Sequence, residues 1–473
     1  MTAHEASYDS SRTVFDVIVI GAGVVGCAVA RRFALSGASV LLLEKAADIL
    51  DGASKGNSAI LHTGFDAPAG SLEQRCIEEG YREYLEIHEK LNLPLARIGA
   101  LVIAREESQE SQLDAIVALA RENGVSDVSR VSRQQVLAME PGLAPGVLGA
   151  VHVPGESLVD PWSAPLAYLR QAMEHGAEML RHCEVTGGWF DGDKWCLKTS
   201  RGERHGNNVI NCAGLFGDRL HQLLGGKPEF SIRPRKGQFV VYDKSARGLT
   251  RSILLPVPTP ITKGIVVCPT VFGNLLVGPT AEEQKSRIEA GVDEAALGQL
   301  RRHGERILPG LRCHGITAVY AGLRPATEDK DYRVLSDPAR NYLCLGGIRS
   351  TGLSAALGIA QHAYRIMQSS TRTRDNQSPV RWPAVPNISE HGTRDWMRAG
   401  NDGIVCHCEL VTRREILQAL DGPTGATTLA GLKRRTRVTM GRCQGFYCTA
   451  ELGVITADRL AVPLLPGQGG AKK

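Results

Sequence analysis

The run VFDVIVIGAGVVGCAVARRFALSGASVLLLEKA, residues 14–46, constrains the fold more than any other part of this chain. Its apolar residues between Val14 and Ile20 read as a buried parallel strand, and Gly21, Gly23 and Gly26 follow it directly in the order GxGxxG. Gly21 permits the tight turn, Gly23 lets the backbone approach a pyrophosphate, and Gly26 lets the following helix pack closely on the strand. That helix offers unpaired N–H groups and the positive end of its dipole to an anion. A second apolar run, VLLL, ends at Glu44 and Lys45, where the Glu44 carboxylate can accept a hydrogen bond from a ribose 2′-OH. Glycine triplets alone occur by chance, but strand, turn, helix, strand and acid at this spacing specify a dinucleotide site. An acid at position 44 favours an unphosphorylated ribose, hence FAD or NAD over NADP.

Residues 51–80, DGASKGNSAILHTGFDAPAGSLEQRCIEEG, then form a Gly- and Ser-rich connection suited to close backbone contact with a flat ring. The order GAGVVG, LLLEK and SKGNSAILHTG resembles the FAD-dependent oxidoreductases of the D-amino-acid oxidase superfamily. The branch is that of the glycerol-3-phosphate and L-2-hydroxyglutarate dehydrogenases. The resemblance implies an α/β FAD-binding Rossmann-type, glutathione-reductase-like domain and an α+β substrate domain with an antiparallel sheet. It places Asn57, Ser58 and His62 beside the flavin. NNVINCAGLFGD at 207–218 resembles the family's strand and Ala-Gly bend against FAD, with Ala213 and Gly214 at the bend. LLPVPTPITKGIVVCPTVFGNLLVGPTAEE at 254–283 reads as antiparallel strands separated by Pro and Gly-Asn turns, similar to the sheet over the flavin face. YAGLRPATEDKDYRVL at 320–335 and LCLGGIRSTGLSAALGIAQ at 343–361 resemble the two closing motifs. These imply flavin contacts at Gly322, Gly347, Arg349, Thr351, Gly352 and Leu353, with a helix dipole aimed at the anionic reduced flavin.

Oxidation of a C–H bond beside a heteroatom by a flavin needs a base for the heteroatom proton, and an anionic substrate needs a cation. His62 is the base candidate, because imidazole titrates near operating pH. Arg324 in AGLRPA matches the family arginine that holds substrate oxygens, its fork of donors suiting carboxylate or phosphate. Lys263 and Arg333 are further cations near the pocket. Asp160 and Trp162 in SLVDPWS stand at a helix entrance, where Asp capping is the default role. Two departures bear on the substrate. After His62 the sequence is HTGFDAP, with Phe65 and Asp66 where glycerol-3-phosphate dehydrogenases carry an Arg; and Val266 stands where the 2-hydroxyglutarate branch has a His. PVPTPITKG, GLRPATED and the C-terminal cysteines favour the anaerobic-type glycerol-3-phosphate subgroup.

Eight of the twelve cysteines are scattered singly and read as small buried hydrophobes. The other four are Cys406, Cys408, Cys443 and Cys448, in the pattern C-x-C-x34-C-x4-C. They lie behind a polar, Pro-rich segment, 369–400, that reads as a linker or wrap-around. Thr412 and Glu415 form a capping box for one short helix, and ATTLAGLKRRTRV forms a second. Four thiolates on such a hairpin can bind zinc or a 2Fe-2S cluster, and spacing does not exclude zinc. CHCELVTRREI and MGRCQGFYC resemble the bacterioferritin-associated-ferredoxin type of 2Fe-2S domain, which implies the cluster. Lys433, Arg434, Arg435, Arg437 and Arg442 are expected to offset the charge of four thiolates, or else to form a solvated helix face.

The expected organisation is a lead-in at 1–13 and an oxidoreductase at 14–368, then the linker, a small helical 2Fe-2S domain at 401–465 and a tail at 466–473. Within the oxidoreductase, FAD-binding parts are expected at 14–90, 150–220 and 320–368, and substrate-domain parts at 91–149 and 221–319. The formal net charge is +5, and residues 391–473 hold 12 Lys or Arg against 7 Asp or Glu, so the basic excess belongs to the C-terminal part. That argues against a general nucleic-acid surface. No apolar run is long enough to span a membrane. The polar N-terminus matches neither a secretory nor a transit signal, so the expected location is the cytoplasm, at the inner membrane only through a partner subunit. The function expected is oxidation of a small anionic hydroxy compound, with electrons leaving singly through the cluster to an acceptor protein or further flavin or iron–sulfur subunits in a hetero-oligomer. The alternatives are a 2-hydroxy acid dehydrogenase, an amino acid or opine CH–NH dehydrogenase, an iron-regulated sensor and a non-catalytic electron-transfer or assembly subunit.

Overall fold

Alternation along the first strand sets the layers. In Val14–Ile20, Val17 and Val19 point to one face and Ile18 and Ile20 to the other, all but fully buried. The computed structural model describes residues 13–259, 264–372 and 379–465, so most of the lead-in, all of the tail and Lys263 lie outside the described residues. Strand Val14–Ile20 pairs in parallel with Val40–Leu43 on one side and Gly202–Asn211 on the other. Glu178–Leu180 extends the sheet beyond Val40–Leu43, and Tyr342–Gly346 runs parallel to Gly202–Asn211. Helices Val24–Leu35, Leu72–Ile87, Ser163–Glu174 and Gly352–Met367 share the core on the Val17 and Val19 face. Trp195, Leu220 and Tyr342 cover the other face. The helix Ser163–Glu174 has Trp162 at its N-cap, and Asp160 lies just before it, its Oδ1 accepting the N–H groups of Trp162 and Ser163 at 2.9 and 3.2 Å.

A second, nine-stranded sheet carries the long antiparallel pair of Arg233–Tyr242 and Ile316–Ala326, in the register Arg235 opposite Arg324. Ile253–Pro256, Val266–Pro269 and Leu275–Gly278 form antiparallel pairs, and Ala100–Ala104 joins Ile253–Pro256 in parallel. The expected boundaries shift here. Gly149–Val153 and Ile316–Ala326 pair throughout in this second sheet, so the FAD-binding parts expected from 150 and from 320 begin inside its strands. A strand placed by its partners rather than its motif carries Gly322 and Arg324 to the first domain's edge.

The segment 379–400 straps the two domains: the Val385 N–H donates to Leu91 O and the Glu390 N–H to Val271 O. Beyond it lies a small unit, with hairpin strands Ile404–Cys406 and Val411–Thr412 and helices Arg413–Leu420, Leu429–Thr436 and Thr449–Ile455. Val405, Val411, Ile416, Leu432 and Leu452 give it its own core. The capping box of Thr412 and Glu415 is formed in both directions. Among the described residues no helix is long and apolar enough to cross a membrane.

Candidate active site and cysteine centre

A cavity of about 700 Å³ opens at the carboxyl ends of Val14–Ile20 and Val40–Leu43, where open parallel sheets hold nucleotides. Gly21, Gly23, Glu44 and Lys45 line one end of it. Gly21 has φ +107°, and a Cβ there would meet Cys212 O at 2.6 Å; Gly26 does not reach the cavity but packs so closely that a Cβ would lie 1.8 Å from Gly21 O. The helix Val24–Leu35 has no side-chain cap and no acid in its first turn, which leaves its positive end open to a pyrophosphate. Glu44 accepts the N–H of Ala22 at 2.7 Å and of Ala46 at 2.8 Å, tying the acid to the glycine turn. Burial raises its pKa against the pull of those two bonds. The Lys45 ammonium lies over the Phe216 ring, 3.5 Å from its centroid. These groups, in a cavity of this volume, fit FAD.

Asn57, Ser58, Ala213 and Gly214 form a second wall, and Gly347, Arg349, Gly352 and Leu353 a third. Thr351 departs from expectation. Its hydroxyl is buried and donates to Glu73 at 2.6 Å, fixing the start of the helix rather than facing the cavity. Gly322 and Arg324 complete the lining from the second sheet. Arg324 Nη2 donates to Thr280 O at 2.7 Å and Lys236 O at 3.2 Å, and Nε to Arg235 O at 3.3 Å. Among the described residues no carboxylate pairs with Arg324 or with Arg349, while Arg287 on the same cavity is paired with Asp218. Burial, with Arg235 and Arg349 nearby, pushes the Arg324 guanidinium down to about 10. An anion entering the cavity would relieve that repulsion. Arg333 pairs instead with Glu328 and Asp329, outside this lining.

His62 stands off the cavity wall, held from two sides. Its N–H donates to Ser354 Oγ at 2.8 Å, on the helix whose first residues line the cavity. Its Nδ1 lies 2.8 Å from Glu156 Oε2, a fully buried carboxylate whose Oε1 accepts from the Thr63 N–H and hydroxyl. With Nδ1–H donated to Glu156, Nε2 is the basic nitrogen. Sequence reasoning missed Glu156, 94 residues from its partner. The local signal was an acid in the mostly apolar VHVPGESLV.

The four C-terminal cysteines come together in two pairs. Cys408 lies beside Cys443 and Cys448 beside Cys406, with Cys408 and Cys448 each also interacting electrostatically with a cysteine of the other pair, while the Cys448 thiol donates to Gly445 O at 3.9 Å. Burial pushes Cys448 up to about 12. The N–H groups of Tyr447, Gly445 and Phe446 hold Cys443 below the usual thiol value. Among the described residues no three His, Cys, Asp or Glu side chains are gathered to hold a metal ion. Four thiols on one small unit supply the ligand number of a 2Fe-2S cluster and of a tetrahedral zinc site alike.

Four of the basic residues beside the cysteines have partners of their own. Arg434 is buried and donates to Ile49 O, Arg435 grips Asp48 with two nitrogens, Arg437 pairs with Glu409, and Arg442 pairs with Asp243. Arg434, Arg435 and Arg437 are thus largely buried and do not form a solvated helix face, whereas Arg442 keeps most of its side chain in solvent. All four, Arg434, Arg435, Arg437 through Asn274, and Arg442, fasten the small unit to the body of the enzyme. Among the single cysteines one also departs: Cys313 is exposed, while the other seven are buried.

Comparison with known proteins agrees with this geometry. Residues 16–365 match the family described as FAD dependent oxidoreductase, and residues 404–456 match the BFD-like 2Fe-2S binding domain. The chain is 30% identical to the glycerol 3-phosphate dehydrogenase of Caloramator mitchellensis over 95% of each chain. It is 28% identical to a subunit of the anaerobic glycerol-3-phosphate dehydrogenase of Escherichia coli, covering 92% of this chain and 86% of that one. The structure of L-alpha-glycerophosphate oxidase from Mycoplasma pneumoniae with FAD bound superposes with a TM-score of 0.74 at 26% identity, covering 79% of this chain and 99% of that one. The chain is thus a member of the FAD dependent oxidoreductase family, an enzyme of FAD that carries a second redox centre, a 2Fe-2S cluster, in its C-terminal domain.

Proposed function

We propose that this enzyme oxidises the secondary alcohol of glycerol 3-phosphate and delivers the electrons, through its own cluster, to an acceptor protein. The observation that carries the substrate is Arg324. A half-buried guanidinium on the cavity wall, held by three backbone carbonyls, with cationic neighbours and no carboxylate partner among the described residues, is built to receive an anion. Arg349, likewise without a carboxylate partner among the described residues, adds a second cation on the same wall. The names of the relatives supply which anion: three of the matches are to proteins of glycerol 3-phosphate or glycerophosphate oxidation.

When bound, FAD supplies the hydride acceptor and the cluster a one-electron carrier. The protein's residues do the rest. Arg324 and Arg349 hold the phosphate and so fix the carbinol carbon. His62 Nε2 takes the hydroxyl proton as the C–H bond breaks, and Glu156 stabilises the imidazolium through Nδ1–H. Asn57, Ser58, Gly347, Gly352 and Leu353 bound the ring site, with the N-terminus of Gly352–Met367 favouring the negative charge that reduction brings. Lys263, if it reaches this site, adds to the phosphate cradle. The whole of the Mycoplasma oxidase structure corresponds to 79% of this chain, which leaves the cluster domain as the added part. An added electron exit suits a dehydrogenase working with a partner, and the Escherichia coli relative is itself named as one subunit of its dehydrogenase. The acceptor and further subunits place the enzyme in a hetero-oligomer, with any membrane contact made by the partner.

Anaerobic kinetics test the reading. Glycerol 3-phosphate should bleach the flavin while uncharged glycerol does not, and Arg324→Gln should lower kcat/KM about 10- to 100-fold, the worth of a charged hydrogen-bond pair. Equal bleaching by glycerol, or unchanged kinetics in Arg324→Gln, would contradict it.

A further inference from the structure

Two redox centres in one chain need a path between them, and among the described residues a chain of contacts, buried from Phe272 onward, joins the flavin cavity to the cysteine centre. It starts at Lys55 and Pro161, both on the cavity wall. The indole N–H of Trp162 donates to Lys55 O at 3.2 Å. The Trp162 ring stacks on Phe272 of the second sheet, with centroids 5.8 Å apart and planes 13° apart. On the far side of Phe272 lies the Arg437 guanidinium, 4.2 Å from the ring centroid. Arg437 Nε donates to Glu409 Oε2 at 2.8 Å, and Glu409 directly follows Cys408. Phe272, Arg437 and Glu409 are all buried, at 4%, 5% and 2% exposure.

The geometry is held at a cost. Arg437 ends its helix in the left-handed region at φ +67°, a conformation worth about 1–2 kcal/mol against a residue with a Cβ. It is kept there by Glu409, by Asn274, which accepts from Nη2 at 3.1 Å, and by Phe272. A fastening alone would not require this: Asp48 with Arg435 and Asp243 with Arg442 already join the unit to the body elsewhere.

We infer that Trp162, Phe272 and Arg437 form the relay through which electrons cross from the flavin to the cluster. This rests on the reading of a flavin and a cluster working in series. The two electrons of the reduced flavin leave one at a time as it is reoxidised and its proton goes to solvent. Each reduces the cluster in turn, and the cluster is reoxidised by a one-electron acceptor protein. Trp162, Phe272 and Arg437 undergo no net change; they supply a dense, continuous medium where a gap or water would stand.

The test uses the full holoenzyme under anaerobic rapid mixing with glycerol 3-phosphate, following flavin absorbance and the paramagnetic resonance signal of the reduced cluster. Phe272→Leu should bleach its flavin at the wild-type rate and show the cluster signal roughly tenfold later or more. Phe272→Tyr, which keeps the ring, should match wild type. Dithionite should give the full cluster signal in both variants, which loss or disruption of the cluster site would not produce. If Phe272→Leu does not fold, Trp162→Leu takes its place, read as the ratio of the two rates. A cluster signal at the wild-type rate in the ring-less variant overturns the relay. Should glycerol 3-phosphate fail to bleach even the wild-type flavin, the substrate reading falls, and light-driven reduction of the flavin makes the same comparison for the relay.

Discussion

Glu156 shows how much of an active site depends on contacts that sequence order hides. His62 could be singled out as a candidate because it lies a few residues past a motif, in a stretch that resembles a known family. Its orienting carboxylate comes from a turn 94 residues away, and its backbone anchor, Ser354, from 292 residues away. Neither partner carries a local pattern. The same reason explains the arginines of the small unit: Arg435 lies 387 residues from Asp48, so a basic run looked like a solvated face. If Glu156 sets the tautomer of His62, then Glu156→Gln should lower kcat about 10- to 100-fold with FAD content and melting temperature little changed, as measured by single-turnover flavin reduction. Unchanged kcat in a folded, FAD-loaded variant would remove Glu156 from the chemistry.

At the scale of elements, the strand, turn and helix at the N-terminus could be read because steric need is local: a Cβ at Gly26 would sit 1.8 Å from Gly21 O, five residues back. Strand Ile316–Ala326 was different. Its sequence resembles a flavin-side motif, while its hydrogen bonds place it in the second sheet against Arg233–Tyr242. One strand serves both, which is how Arg324 reaches the cavity. Asp218 braces the facing wall. It pairs with Arg287 at 2.8 Å between Nη2 and Oδ2 and accepts the Ile232 N–H at 2.8 Å. Burial works against its charge, but Arg287 and the backbone N–H groups outweigh it and hold the carboxyl below its ordinary value. A depressed carboxyl stabilises the fold fully above its unfolded pKa and loses that contribution as pH falls through the folded value. Asp218→Asn should therefore be less stable than wild type by about 3 kcal/mol at neutral pH, and the difference should shrink only below about pH 4. Denaturant titrations at pH 7, 5 and 3.5 measure it; a difference that disappears already between pH 7 and 5 would contradict the ion pair.

For the whole molecule, the cysteine pattern announced a second centre, but not how it meets the first. The small unit has its own core, yet buried arginines, the strap of 379–400 and the Trp162–Phe272–Arg437 contact join it to both domains of the oxidoreductase. A unit fastened this way is a fixed exit for electrons. The most direct measurement is an anaerobic titration of the purified enzyme with less than one equivalent of glycerol 3-phosphate, read by flavin absorbance and by paramagnetic resonance on the same sample. The flavin band should fall and the reduced-cluster signal appear together, and Cys443→Ser should keep the flavin response while losing the cluster signal. A flavin that bleaches while an intact cluster stays oxidised would contradict the account.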